Sequence, residues 1–213
     1  MASFDLQAIL DSFGSDSGPA YAQHLNPRFH DLLRLVGFER RFVRGEGPYL
    51  FDEKGDRYLD AIGGFASLSL GRNHPVVRDA LEQALRIAPP ALVQFETPPL
   101  AVALAESLKQ FVDRPDDRVF FVNSGAESIE AAMKIARAAT GRPGFAYWSN
   151  AFHGLTLGAL SINGADWLRR GFEPLMPGCR EVPFGNLDAL RRALEDESVA
   201  AFFFEPIQGK GVI

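Results

Sequence analysis

From Arg118 onward, short apolar runs alternate with helix-like stretches, and that alternation leaves few folds open. Val119-Phe120-Phe121-Val122 comes first, then a helix-like run from Glu127 to Thr140. Gly144-Phe145-Ala146-Tyr147 is a second apolar run, Leu187 to Glu195 a second helix pattern, and Val199-Ala200-Ala201-Phe202-Phe203-Phe204 a third run. Strands that are apolar on both faces and separated by helices predict a parallel sheet covered on both sides. In such sheets ligands bind beyond the carboxyl ends of the strands. Three ends converge here: Val122 runs into Asn123-Ser124-Gly125, Tyr147-Trp148 into Asn150-Ala151-Phe152-His153-Gly154, and Phe204 into Glu205-Pro206.

The first of these ends has the chemistry of an anion site. The first amides of a helix lack partners within it, and the helix dipole favours negative charge there. Ser124 can cap and offer its hydroxyl, Gly125 lets a ligand approach the backbone, and Ala126 adds no bulk. An ordinary capped helix with Glu127 in its first turn is the simpler account of that stretch taken alone. Phe152, in a loop, can stack on a planar ring, and His153 beside it can hydrogen-bond a ring oxygen. Packing for Phe152 and solvent exposure for His153 is the plainer alternative. Glu205 follows six apolar residues and needs a partner, either an arginine or a cationic group on a ligand.

Composition removes several other functions. The 213 residues carry a net charge of −5 and no Lys/Arg block, which argues against a nucleic-acid partner. Cys179 is the only cysteine, so neither an intramolecular disulfide nor a Cys-based metal site can form. The four histidines, at 24, 30, 74 and 153, lack metal-ligand spacing. No apolar run reaches membrane-spanning length, and Met1–Leu10 lacks the pattern of a secretory signal, so a cytoplasmic location is the expectation. There is no Gly-x-Ser-x-Gly elbow and no Gly-rich nucleotide fingerprint.

The first third reads as a different region. A short helix is expected within 2–13, a linker over Ser12–Pro19, an extended stretch over Tyr21–Pro27 and a helix over Phe29–Val36. Arg41–Arg44, Tyr49–Phe51 and Arg57–Asp60 form a strand meander, with Gly55 in the second turn. Gly63-Gly64 is a glycine loop, and Pro75 opens a helix to about Ile87, with His74 as a cap or packing residue. Another helix follows Thr97-Pro98-Pro99, with Leu100, Leu104, Ala105, Leu108 and Phe111 on one face.

Together, Asn123-Ser124-Gly125-Ala126-Glu127, Glu130 to Arg137, Phe152-His153-Gly154 and Glu205-Pro206-Ile207-Gln208-Gly209 resemble the class III pyridoxal-phosphate aminotransferases of ornithine and ω-amino-acid type. Tyr58-Leu59-Asp60, Gly63-Gly64 and Gly71-x-Asn73-His74-Pro75 add to the match, which runs from about Phe38 to the last residue. The resemblance implies the α/β large domain of fold type I, incomplete, over 75–213, preceded by a strand-rich segment over 1–74. It implies that Ser124, Gly125 and Ala126 hold the phosphate of pyridoxal 5'-phosphate, that Phe152 stacks on the pyridine ring, and that His153 and Glu205 line the site. It also implies a small-molecule amino donor, a 2-oxo acid acceptor and a homodimer.

The same resemblance marks departures. The family's Schiff-base lysine and its pyridine-pairing aspartate are expected beyond Ile213, so no catalytic residue is assigned among the 213. The four lysines, at 54, 109, 134 and 210, do not occupy that position. Lys210 stands where many relatives carry Glu, and Arg72 where His is frequent. The expectation is a fragment of an aminotransferase that is inactive by itself. A non-catalytic relative or assembly partner of the same fold, or another pyridoxal-phosphate reaction such as an aminomutase, remains open.

Overall fold

The computed structural model describes residues 4–14, 16–38, 40–90 and 93–210. It divides into two compact units, Met1–Glu96 and Thr97–Ile213.

The first unit opens with three helices, α1 (Leu6–Ser12), α2 (Gly18–His24) and α3 (Pro27–Leu35). Residues 2 and 3 of the expected first helix, and Ser15 of the expected linker, lie outside the described residues. The stretch expected to be extended over Tyr21–Pro27 is helical through His24 and again from Pro27, with Leu25 and Asn26 between the two helices. Pro19 and Pro27 each sit in the first turn of a helix, where the missing N–H has no partner to lose. Asn26 caps α3, its side chain accepting from the Phe29 amide at 3.0 Å.

The meander follows as β1 (Phe42–Glu46), β2 (Tyr49–Asp52) and β3 (Arg57–Leu59), antiparallel throughout. Asp52 organises its second turn, accepting from the amides of Lys54 and Asp56 at 3.0 and 2.9 Å and from the Tyr58 hydroxyl at 3.0 Å. Arg72 pairs with Asp60 at 2.6 Å. Asp60 also accepts from the amides of Ile62 and Gly63, so it pins the start of the Gly63-Gly64 loop. The Arg72 guanidinium and these amides hold its carboxyl below the ordinary carboxylate range. α4 (Pro75–Ile87) starts at Pro75, with His74 in the capping position.

The second unit holds α5 (Pro99–Phe111), α6 (Gly125–Thr140), β4 (Gly144–Trp148), α7 (Leu157–Leu160), α8 (Asp166–Arg169), β5 (Cys179–Val182), α9 (Leu187–Leu194) and β6 (Val199–Phe203). Its sheet has the order β5-β4-β6, and both pairings are parallel. β4 is buried along its whole length. Alternate residues point to opposite faces. Phe145 and Tyr147 pack in a cluster with Met133, Ile129 and Ala136 of α6, while Ala146 and Trp148 pack in another with Ala189, Leu190 and Ala193 of α9. The sheet is therefore covered by α6 on one side and α9 on the other, as the apolar runs require.

Two strand expectations change. Val119–Val122 pairs with no strand among the described residues, and Phe120 is 70% exposed. An apolar run becomes a strand only where a ladder neighbour exists, and neither edge of the three-stranded sheet takes it up. β5, in contrast, has no counterpart in the sequence reading. Its Arg180 and Glu181 break the apolar signal, which an edge strand tolerates because one side meets solvent. Among the described residues no helix is long and apolar enough to cross a membrane, and no group of His, Cys, Asp or Glu side chains is placed to hold a metal ion.

Candidate functional site

The sequence Ser-Gly-Ala-Glu folds as a reciprocal cap. Ser124 is the N-cap of α6, its hydroxyl oxygen accepting from the Glu127 amide at 3.2 Å. The Glu127 carboxylate reaches back and accepts from the Asn123 amide at 2.6 Å. One first-turn amide, that of Glu127, and the amide just ahead of the cap, that of Asn123, are thereby satisfied, in a variant of the capping box. The amides of Gly125 and Ala126 donate to no acceptor among the described residues. A Cβ placed on Gly125 would meet nothing within 4 Å, so open space lies beside it. This end of a 16-residue helix thus offers two free amides, a hydroxyl hydrogen on Ser124 and the positive end of the dipole. The arrangement fits a phosphate group.

The Phe152–Gly154 loop is held against this cradle. Gly154 has φ +130°, and a Cβ there would lie 2.6 Å from the Ala126 Cβ and 2.9 Å from its Cα. Only a glycine lets the loop come so close to the first turn of α6. Glu130, one turn into α6, fixes the chain just beyond: it accepts from the Thr156 hydroxyl at 2.6 Å and from the Ala159 amide at 3.2 Å.

Two further residues set the loop from behind. Glu205 accepts from the Phe152 amide at 2.8 Å and from the Gly209 amide at 3.4 Å, so its carboxylate joins the ends of β4 and β6. Asn163 is fully buried; it accepts from the His153 amide at 2.7 Å and donates to the Gly154 carbonyl at 2.8 Å. Sequence reasoning passed over Asn163, because Asn-Gly reads as an exposed turn.

His153 is buried, with its ring 6.1 Å from that of Phe203. Its Nε2 has no hydrogen-bond partner among the described residues. Burial lowers its pKa below the ordinary histidine value, against the opposing pull of the Glu205 charge. The ring is therefore neutral near pH 7, and its orphaned nitrogen is free to engage a ligand group.

Gln208, also fully buried, donates to the Ser149 carbonyl at 2.9 Å, while the Ser149 hydroxyl accepts from the Phe184 amide at 2.9 Å. The chain beyond β4, β5 and β6 is knitted together in this way. Of the expected residues, Ala126, Phe152, His153 and Glu205 are joined by these direct contacts, and Ser124 and Gly125 begin the same helix. Val122 contributes no strand end.

The family model of the class-III aminotransferases matches residues 37–213, and the chain belongs to that family. Aminotransferase PigE of a Serratia species is 41% identical over 212 residues, which cover 99% of this chain and 25% of that protein. The ornithine aminotransferase of Toxoplasma gondii ME49 superposes with a TM-score of 0.81 at 27% identity, over 98% of this chain and 50% of that one. The taurine:2-oxoglutarate aminotransferase of Bifidobacterium kashiwanohense, solved with pyridoxal phosphate and glutamate, superposes with a TM-score of 0.69 at 31% identity. That match covers 79% of this chain and 43% of the other. The chain therefore spans half or less of the length of these relatives. Its fold is that of the fold type I transaminases, with a strand-rich amino-terminal part and a partial parallel-sheet domain.

Proposed function

We propose that the protein supplies the phosphate- and ring-holding part of a pyridoxal-phosphate-dependent aminotransferase site. The enzyme reaction is transfer of an amino group from an amine or ω-amino acid to a 2-oxo acid, in a homodimer. The observation that carries this reading is the seating of Gly154 on Ala126, which brings the Phe152 loop to a helix end whose Gly125 and Ala126 amides have no acceptor among the described residues. In this reading the amides of Gly125 and Ala126 and the Ser124 hydroxyl hold the phosphate. Phe152 offers its ring face to the pyridine, and Glu205 fixes Phe152 through its backbone amide. His153, neutral and with an unpartnered Nε2, is available to a polar group of the cofactor ring. When bound, the cofactor supplies the electron sink that lets an amino group leave one carbon and join another.

None of the four lysines is assigned to covalent attachment. Lys54 lies in the turn between β2 and β3, Lys109 on α5 and Lys134 on α6. Lys210 lies over two aromatic rings. Mixing the protein with pyridoxal phosphate, reducing with borohydride and mapping peptides by mass spectrometry tests this. The expected result is a cofactor that dialysis removes and four unmodified lysines. A pyridoxyl group on Lys134 or Lys210 would overturn the assignment.

A further inference from the structure

Lys210 is placed in an unusual way for a surface cation. Its Nζ lies 5.1 Å from the centroid of the Phe152 ring and 4.9 Å from that of Trp167. Two ring faces attract an ammonium through their quadrupoles, but they give its three N–H donors no strong acceptor. No carboxylate pairs with Lys210 among the described residues. The acid nearest in sequence, Glu205, accepts backbone amides from Phe152 and Gly209 instead. Asp166, next to Trp167, pairs with Arg169. A positive charge therefore lies between two rings at the candidate site, with no carboxylate partner among the described residues.

We propose that Lys210 is a specificity-determining residue that receives a carboxylate of the small-molecule substrate. This rests on the aminotransferase reading and adds to it the residue, Lys210, that holds the substrate carboxylate. The end of α6 already supplies the donors that suit a phosphate, so a second anion binder next to Phe152 serves a different anionic group. The faces of Phe152 and Trp167 flank the ammonium and give an aliphatic chain apolar surface to lie on. Of the two tryptophans Trp148 is buried, whereas Trp167 is 63% exposed and touches the ammonium. Displacing Nζ from that ring changes its fluorescence.

The test is titration of the whole protein with glutarate and, separately, with inorganic phosphate, followed by tryptophan fluorescence and calorimetry. Glutarate is expected to bind with a dissociation constant on the order of millimolar. Lys210→Gln is expected to weaken that binding about tenfold, and Lys210→Arg to retain it. Trp167→Phe is expected to remove the fluorescence change while leaving the heat. Glutarate binding unaltered by Lys210→Gln would overturn the proposal, as would a Lys210-dependent response to phosphate and none to glutarate. Binding of pyridoxal phosphate to the unaltered protein separates the two readings. If the cofactor binds and glutarate does not, the role of Lys210 falls and the aminotransferase reading stands. If glutarate binds through Lys210 and the cofactor does not, the aminotransferase reading falls and the carboxylate site stands.

Discussion

Gly154→Ala is expected to destabilise the unit that spans Thr97–Ile213 by about 4 kcal/mol, a large share of what a domain of this size has. Two effects add. An alanine at φ +130° is strained wherever it sits, and here its Cβ would stand 2.6 Å from the Ala126 Cβ and 2.9 Å from the Ala126 Cα. The second contact is with backbone, so no rotamer change relieves it. Gly141 is the control. It caps the C-terminus of α6 with φ +70°, and a Cβ there would meet nothing within 4 Å. Gly141→Ala therefore carries the conformational cost alone, about 1 kcal/mol. Urea denaturation of both variants measures the difference. Equal costs would mean that the loop does not rest on α6 in solution.

Asn163→Ala carries the second large effect. The side chain is fully buried and serves the His153 amide and the Gly154 carbonyl together. Truncation strands both groups away from water and leaves a small cavity, for a total cost of about 3 kcal/mol. Asn186→Ala is the comparison: Asn186 caps α9 through an exposed bond from the Ala189 amide at 2.9 Å, and its loss costs about 1 kcal/mol. A loss at Asn163 no greater than that at Asn186 would show that the Phe152–Gly154 loop is set by other contacts.

These two residues also mark how far the sequence could be read. Periodicity and caps were enough for α6, β4, β6 and the meander, because their signals are local: an apolar stripe, a Ser-x-x-Glu box, a glycine where φ is positive. The Ser124 cap and the open backbone at Gly125 were legible for the same reason. Pairing is not local. Val119–Val122 has the composition of a buried strand and, among the described residues, no ladder partner, whereas Cys179–Val182 has two charges and pairs with β4. The contact between Gly154 and Ala126 joins residues 28 apart in sequence, and only the packed sheet shows that the glycine is there for α6. Glu205 was legible as a buried carboxylate in need of a partner. That the partner is the Phe152 amide depends on the order β5-β4-β6, which sets β6 beside β4. At α2 and α3 the prolines sit in the first turn, and the cap that begins each helix shows only in the folded chain.

The exposed apolar residues of this unit have a bearing on handling. β6 is an edge of the sheet, and Phe204 just beyond it is 54% exposed, as is much of Phe120. Such an edge is open to pairing with another chain.

The central claim is that the first turn of α6 holds a phosphate beside Phe152. Its most direct test compares pyridoxal phosphate with pyridoxal, which differ only in that group, by equilibrium binding to the unaltered protein. Two amide donors, a hydroxyl and a helix dipole predict an affinity for the phosphorylated form at least about tenfold higher, or roughly 1.4 kcal/mol. Equal affinities for the two compounds would contradict it.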